Sequence, residues 1–194
     1  MQGSRFMAAA LTALVCLMFS QPAAGAVSLG DAAGRYAIDG NSSIRFSIAN
    51  AAGGALKGRF ARFKGSIRID DRDAGRSSVD ITIYPASVMT GQGRVDSFLR
   101  SDAVFDAANA SEIRFRSTSV RRSGAASATI EGQLAARGRN GTEKFTAELV
   151  ALKGGRILFH VVGKVLRSRY GMDVGTPIYS NVVDFDMTLS GHRG

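Results

Sequence analysis

Acid–base or nucleophilic chemistry needs two or three reactive side chains held within hydrogen-bond reach of one another, and this sequence offers few candidates. Its imidazoles are His160 and His192. His160 sits inside an alternating apolar segment and His192 near the end of the chain. Neither has partner residues at a spacing that would complete a metal site, so they read as a strand histidine and a tail histidine. Serines are frequent, yet no Gly-x-Ser-x-Gly elbow presents one and no His–Asp pair is spaced to activate one. The run Asp70-Asp71-Arg72-Asp73-Ala74-Gly75 has the acid content of a calcium loop. It lacks the alternating oxygen positions and the distal Glu, so a turn is expected there. One charged constellation remains: Asp96, Asp102 and Asp106 with Arg94 and Arg100. It has the groups to move a proton, but charges this close in sequence more often cap short helices and pin a loop. No glycine loop that would cradle phosphate follows a strand and opens a helix. The sequence points to a binding protein rather than an enzyme, with no metal and no required cofactor.

The elements that carry these residues are strands. Ile44, Phe46 and Ile48 alternate with Arg45 and Ser47, and Phe63, Ile67 and Ile69 with Lys64, Ser66 and Arg68. The same period runs through Val79–Ile83, Ile113–Phe115 and Ile130–Leu134, and continues in Lys144–Leu152, Arg156–Leu166 and Val182–Ser190. Period-two alternation marks strands with one wet face, and these segments make eight. Between them stand Ala52-Gly53-Gly54, Asp73-Ala74-Gly75, Ser123-Gly124, Arg139-Asn140-Gly141 and Lys153-Gly154-Gly155. Asn140-Gly141 is the strongest hairpin signal of the set. Strands at this spacing predict a sandwich or a barrel. A lipid-spanning barrel would need aromatic girdles, and the chain has no Trp and four Tyr. Thr90–Asn109 alone lacks alternation. It predicts one or two helical turns around Phe98 and Leu99, a segment fit to cover one barrel end. Barrels of about eight strands can enclose a small apolar ligand.

The first 26 residues read as an export signal. Arg5 supplies a positive start, Phe6–Phe19 an apolar run, and Ala24-Gly25-Ala26 a small-x-small cleavage site. That run is shorter than the roughly twenty apolar residues of a spanning helix. Cleavage would remove Cys16, the single cysteine, and leave residues 27–194 as one thiol-free domain stabilised by core burial alone. The formal charge of +9 is spread over several strands. Export and the lack of clustering exclude nucleic acid as partner; a solvated sheet face, or peripheral contact with an anionic membrane, fits better.

Several ordered motifs resemble the YceI-like family of bacterial periplasmic lipid-binding, or polyisoprenoid-binding, proteins. YAIDGNSSIRF (Tyr36–Phe46) and LKGRFARFKGSIRID (Leu56–Asp70) fit its opening strands. SVDITIYPASVMTGQGRVDSFLRSDAVFDAANASEIRFRSTSV (Ser78–Val120) resembles its order of strand, Arg-x-Asp-x-x-Leu, a Ser followed by Phe (Ser101 and Phe105) and following strand. EGQLAARGRNGTEKF and RSRYGM (Arg167–Met172) complete a similarity that runs from Tyr36 to about Gly191. The resemblance implies an all-β fold, an eight-stranded antiparallel lipocalin-like barrel with a short helical cover. It implies an elongated pocket for a long-chain lipid such as a polyisoprenoid, an isoprenoid quinone or a fatty-acid derivative, and no established catalytic residue. Together with the apolar patterning it points to Phe46, Phe60, Phe63, Arg94, Asp96, Phe98, Leu99, Phe105, Phe115 and Tyr170 as ligand-binding residues. Phe60 and Phe63 fall on opposite faces of a regular strand, so at least one must lie at a bulge, at a barrel end or outside. Three positions depart from the family pattern: Asn41 where a His is common, Arg169 where an Asp precedes the aromatic, and the closer spacing of Arg94 and Asp96. The expected partners are a hydrophobic small molecule, an anionic membrane and a second copy in a homodimer; the expected location is the periplasm. An enzyme acting on such a lipid, with Asp96, Asp102 or His160 as acid or base, is the alternative.

Overall fold

The computed structural model describes residues 27–194; the expected signal segment, its cleavage site and Cys16 lie outside the described residues. Eleven strand segments form one closed, wholly antiparallel sheet of eight staves. The first three staves are each broken in two. β1 (Gly34–Ile38) and β2 (Ser43–Ala49) both pair with β11 (Val182–Arg193), as Tyr36↔Arg193 and Phe46↔Phe185 show. β3 (Ala55–Phe60) and β4 (Phe63–Ile69) run back along them, and β5 (Ser78–Ile83) with the short β6 (Val88–Met89) makes the third stave. The other staves are β7 (Ile113–Arg122), β8 (Ser127–Ala136), β9 (Arg139–Lys153), β10 (Arg156–Leu166) and β11. Pairing of β11 with β1 closes the ring, which leaves no long edge open.

The period-two segments fold as their pattern requires, with apolar residues inward and charged ones outward. On β9, Phe145, Ala147 and Leu149 are buried while Lys144, Thr146 and Glu148 face water. A barrel that spans lipid has the opposite arrangement. The outer face carries instead cross-strand ion pairs such as Arg116–Asp80 (3.0 Å) and Arg45–Asp186 (3.1 Å).

One hairpin departs from expectation. Ala136 pairs with Arg139, so the β8–β9 turn is Arg137-Gly138, and their φ values of 49° and 72° supply the two left-handed residues a type I′ turn requires. Asn140-Gly141 lies in β9 itself. Gly141 is needed there for a different reason: a Cβ would stand 2.6 Å from the Tyr170 hydroxyl oxygen. Lys153-Gly154-Gly155 turns where expected, with Lys153 opposite Arg156.

The two barrel ends are closed differently. At one end the chain entering β1 packs Leu29 and Ala32 into the core, and the Tyr36 hydroxyl donates to the Ala32 carbonyl at 3.0 Å. At the other end lie the β2–β3 hairpin, the Tyr84–Glu112 connection, the β8–β9 turn and the loop between β10 and β11. The long connection contains α1 (Gly93–Arg100), the helix predicted in Thr90–Asn109.

Candidate functional site

The inward side chains do not fill the barrel. They line a cavity of about 430 Å³ that runs along the axis, in the size range of small-molecule sites. Its wall is apolar: Phe46 and Ile48 from β2, Phe60 from β3, Phe115 from β7, Ala147 and Phe145 from β9, and Phe159 from β10 are among the residues that form it. Water in such a space would lack the two to four polar partners it needs.

The lumen stays open because glycines stand in the wall beside phenylalanines. Phe46 pairs with Gly58 and Phe145 with Gly163 across neighbouring strands, while Phe115 reaches diagonally over Gly132. A Cβ on Gly58, Gly132 or Gly163 would come within 2.3–2.6 Å of the adjoining ring. Each ring therefore lies flat over a missing side chain rather than across the lumen, an arrangement that also covers exposed strand backbone. The rings form two series. Phe46, Phe60 and Phe105 follow one another at centroid distances of 5.4 and 5.6 Å; Phe115, Phe145 and Phe185 do so at 5.1 and 6.3 Å.

Polar groups enter the lining only toward the ends. Beside the β4–β5 loop stand Arg68, Asp70, Ser77 and Arg122. At the covered end the lining is Arg94, Val95, Phe98 and Leu99 of α1, with Val104 and Phe105 behind them, faced by Tyr170, Met172, Val174 and Tyr179 of the β10–β11 loop. Leu99 is buried, whereas Phe98 is 49% exposed, so it forms the lip of an opening rather than a seal.

A single guanidinium organises the loop across from α1. Arg167 is buried and donates five hydrogen bonds: to the carbonyls of Ser180 (2.8 Å), Met172, Val174 (2.8 Å) and Tyr179 (3.0 Å), and to the Thr176 hydroxyl (2.8 Å). Burial lowers its pKa, and no carboxylate lies among its acceptors. Next to it the Tyr170 hydroxyl donates to the buried Glu143 carboxylate at 2.7 Å, and Arg169 to the same oxygen at 2.9 Å. Burial, with that hydrogen bond adding, pushes the Tyr170 phenol well above its ordinary value. Arg137 ties the loop to the cover, donating to the carbonyls of Gly171 (2.6 Å) and Asp102 (2.7 Å).

Eight of the ten expected ligand residues line this one cavity: Phe46, Phe60, Arg94, Phe98, Leu99, Phe105, Phe115 and Tyr170. Two do not. Phe63 begins β4 just beyond the break at Ala61-Arg62 and borders a polar depression with Asp39 and Ser42. The break resolves the phase conflict with Phe60 by restarting the alternation: Phe63 stands opposite the inward-facing Ile83 and packs half-buried against the core, without lining the cavity. Asp96 turns away from the cavity. Its carboxylate accepts from the Thr90 amide (2.6 Å) and hydroxyl (2.7 Å), with Arg100 at 3.9 Å, and the Thr90 hydroxyl chiefly holds its pKa below the usual carboxylate value. It fixes the start of α1 and is a structural residue. Sequence reasoning passed over Arg167 and the wall glycines; the one signal for Arg167 was its place at the head of RSRYGM, and for the glycines their phase with the inner face. His160 lies on the outer face, 3.4 Å from the Asp186 carboxylate that Arg45 also shares, remote from the lumen. Among the described residues, no three His, Cys, Asp or Glu side chains gather as a metal site.

Comparison with known proteins places this architecture. The family model of the YceI-like domain matches residues 36–191. A UPF0312 protein of Vibrio parahaemolyticus is 28% identical over 174 residues, covering 86% of this chain and 91% of the relative. Protein YceI of Escherichia coli O157:H7 is 27% identical over 181 residues, covering 90% and 92%. Among solved structures, BcnA of Burkholderia cenocepacia superposes with a TM-score of 0.73 at 22% identity, covering 79% of this chain and 98% of its own. A polyisoprenoid binding domain from Saccharophagus degradans does so with a TM-score of 0.65 at 19% identity, covering 82% and 98%.

Proposed function

The chain belongs to the YceI-like family, and from that premise we propose that it is a non-enzymatic carrier of a long-chain apolar lipid, held in the barrel lumen and working in the periplasm. The observation that carries the reading is the continuous apolar cavity of about 430 Å³. Engineered voids in packed cores cost about 24 cal/mol per Å³. On that scale an unfilled space of this size forgoes on the order of 10 kcal/mol, as much as a whole domain is stable by. A chain-like occupant recovers those contacts, at about 0.8 kcal/mol for each methylene removed from water.

The polyisoprenoid binding of the Saccharophagus degradans domain supports a lipid of the isoprenoid or long-acyl class here. The lining supports it too, since it has side chains to pack along a chain but no fixed array of donors to recognise a polar body. An acid–base role would need a titrating group aimed into the lumen. Asp96 is committed to Thr90, His160 to the outer face, Asp102 does not line the cavity, and Asp70 at its far end accepts from the Arg72 and Asp73 amides, so binding is the stronger reading. Export rests on the signal-like character of residues 1–26.

Organic extraction of the purified protein followed by mass spectrometry tests the proposal. A stoichiometric long-chain species is expected, absent from an Ala147→Trp variant whose indole would occupy mid-lumen. A wild-type protein that neither carries nor takes up such a molecule would sink it. Cell fractionation with N-terminal sequencing tests the location: a mature chain beginning near Val27 in the periplasm is expected, and an unprocessed cytoplasmic chain is the contrary result.

A further inference from the structure

The two ends of the cavity are chemically unlike, and the difference bears on how an insoluble cargo enters. Large apolar side chains that remain exposed are Met89, Phe98, Val150, Val162, Leu166, Val174, Ile178 and Tyr179. Val150 and Val162 lie singly on the outer faces of β9 and β10, which is ordinary. The other six gather at the end closed by α1 and the β10–β11 loop. Phe98, Val174 and Tyr179 both line the cavity and reach solvent, so they mark its mouth. Ile178, the most exposed at 65%, stands beside them without lining the lumen.

The surface around this mouth is continuous. The Ala51 amide donates to the Ile178 carbonyl at 2.9 Å and the Ser180 amide to the Ala49 carbonyl at 2.8 Å, which joins the loop to the β2–β3 hairpin. That hairpin tip, Ala51-Ala52-Gly53-Gly54-Ala55, is exposed and carries no charge. Next to the apolar rim stand Arg94, at the cavity lip, and Lys57 on β3, neither with a carboxylate partner among the described residues; Arg169 is held by Glu143, and Asp173 is the acid of the loop. The far end, by contrast, bears Arg68, Asp70, Asp71, Arg72 and Arg122 and no large exposed apolar side chain.

An apolar rim of this kind on a soluble barrel marks an interaction surface. We propose that the mouth docks on an anionic lipid bilayer, with Ile178, Val174, Tyr179 and Phe98 entering the headgroup–acyl boundary and Arg94 and Lys57 meeting the headgroups. The apolar surface then runs unbroken from bilayer to lumen, and cargo passes without its chain meeting water. Charge decides for a membrane over a second copy of this chain: two mouths face to face would oppose Arg94 and Lys57 with their own kind.

This inference rests on the carrier reading, and one set of samples separates the two. The purified protein is floated with vesicles of phosphatidylcholine alone and of phosphatidylcholine mixed with phosphatidylglycerol, while its lipid content is read by extraction. Binding is expected to the mixed vesicles, to weaken with salt, and to fall roughly tenfold or more in Ile178→Asp. Val150→Asp, away from the mouth, should bind as the wild type does. A lipid-loaded wild type that ignores anionic vesicles overturns docking alone. So does equal binding to neutral vesicles, an equal loss in Val150→Asp, or a mouth-dependent dimer in light scattering without vesicle binding. A protein that binds vesicles but never carries lipid overturns the carrier reading instead.

Discussion

Replacing Arg167 with Met keeps a side chain of similar length and removes all five hydrogen bonds that hold the β10–β11 loop. A hydrogen bond to a charged group contributes about 1.5–3 kcal/mol, so the gross loss is large. It is offset because Met no longer has a guanidinium to desolvate, a penalty of several kcal/mol. It is also offset because a freed loop lets the carbonyls of Met172, Val174, Tyr179 and Ser180 turn to water. The net expectation is about 3 kcal/mol, near the low end for breaking a buried charged network. For a domain of this length that lowers the melting temperature by roughly 6–12 °C. The loss should be local as well as global. Hydrogen exchange of the Thr176, Tyr179 and Ser180 amides, which bond to Asp173, Gly175 and Ala49, should accelerate far more than exchange in β9 or β10. Because the loop carries Val174 and Tyr179 to the mouth, bound lipid should also dissociate faster. Arg167→Lys should recover only part of the loss, since an ammonium has three donors and no planar fork to span five acceptors. A change below about 1 kcal/mol with unaltered exchange would refute the anchor. A large fall in melting temperature spread evenly over the barrel would make Arg167 a core residue and no more.

Three further outcomes follow from the same geometry. Gly163→Ala places a Cβ 2.3 Å from the Phe145 ring and 3.0 Å from the Lys144 carbonyl oxygen, so the ring must swing into the lumen; a loss of about 1–3 kcal/mol and reduced lipid loading are expected, and a stabilised, fully loaded variant would contradict the wall mechanism. Asp96 has a folded-state pKa below its unfolded one, so its contribution is present above about pH 4 and is lost as pH falls through the folded value. Asp96→Asn should therefore flatten the acid limb of the stability–pH curve measured by urea unfolding, and an unchanged limb would show that Asp96 is not a source of it. Tyr170→Phe removes the hydroxyl that donates to Glu143 while Arg169 remains, so a loss of about 1–3 kcal/mol is expected, and a neutral effect in calorimetry would mean that Arg169 alone satisfies the carboxylate.

Strands were the most legible part of the chain because alternation is a local signal. Each of the eight period-two segments lies in a separate stave, and the one stretch without alternation is the covering connection. Local signals failed where a residue's reason is a distant neighbour. Asn140-Gly141 looks like a hairpin, yet its glycine answers to the Tyr170 hydroxyl twenty-nine positions later, while Arg137-Gly138 turns the chain. Phe63 keeps the alternation of Ile67 and Ile69 and packs against the core, but it stands at the break at Ala61-Arg62, beyond the stretch of wall that lines the cavity. Asp96 belongs to the expected ligand residues through the Arg-x-Asp-x-x-Leu motif, and helix geometry turns it toward Thr90 instead.

Alternation says which face is inside, but not whether the inside is full. An eight-stranded barrel is just wide enough for side chains to fill or for one ligand to occupy, and the choice is made by side-chain size at the inward positions. Here Gly58, Gly65, Ala128, Gly132, Ala147 and Gly163 all stand on that face. Glycine in mid-strand is unfavourable by roughly 0.5–1 kcal/mol relative to alanine, since it orders a free backbone and packs nothing. Four such residues in phase with the core therefore go against the stability of the empty barrel. Three of them have an immediate partner in the phenylalanine laid over them, and that arrangement holds the rings to the wall and the axis clear. A barrel selected only to be stable would fill its axis with leucine and isoleucine. This one carries large rings and missing side chains on neighbouring strands, which makes sense if the last part of the core is supplied by a bound molecule.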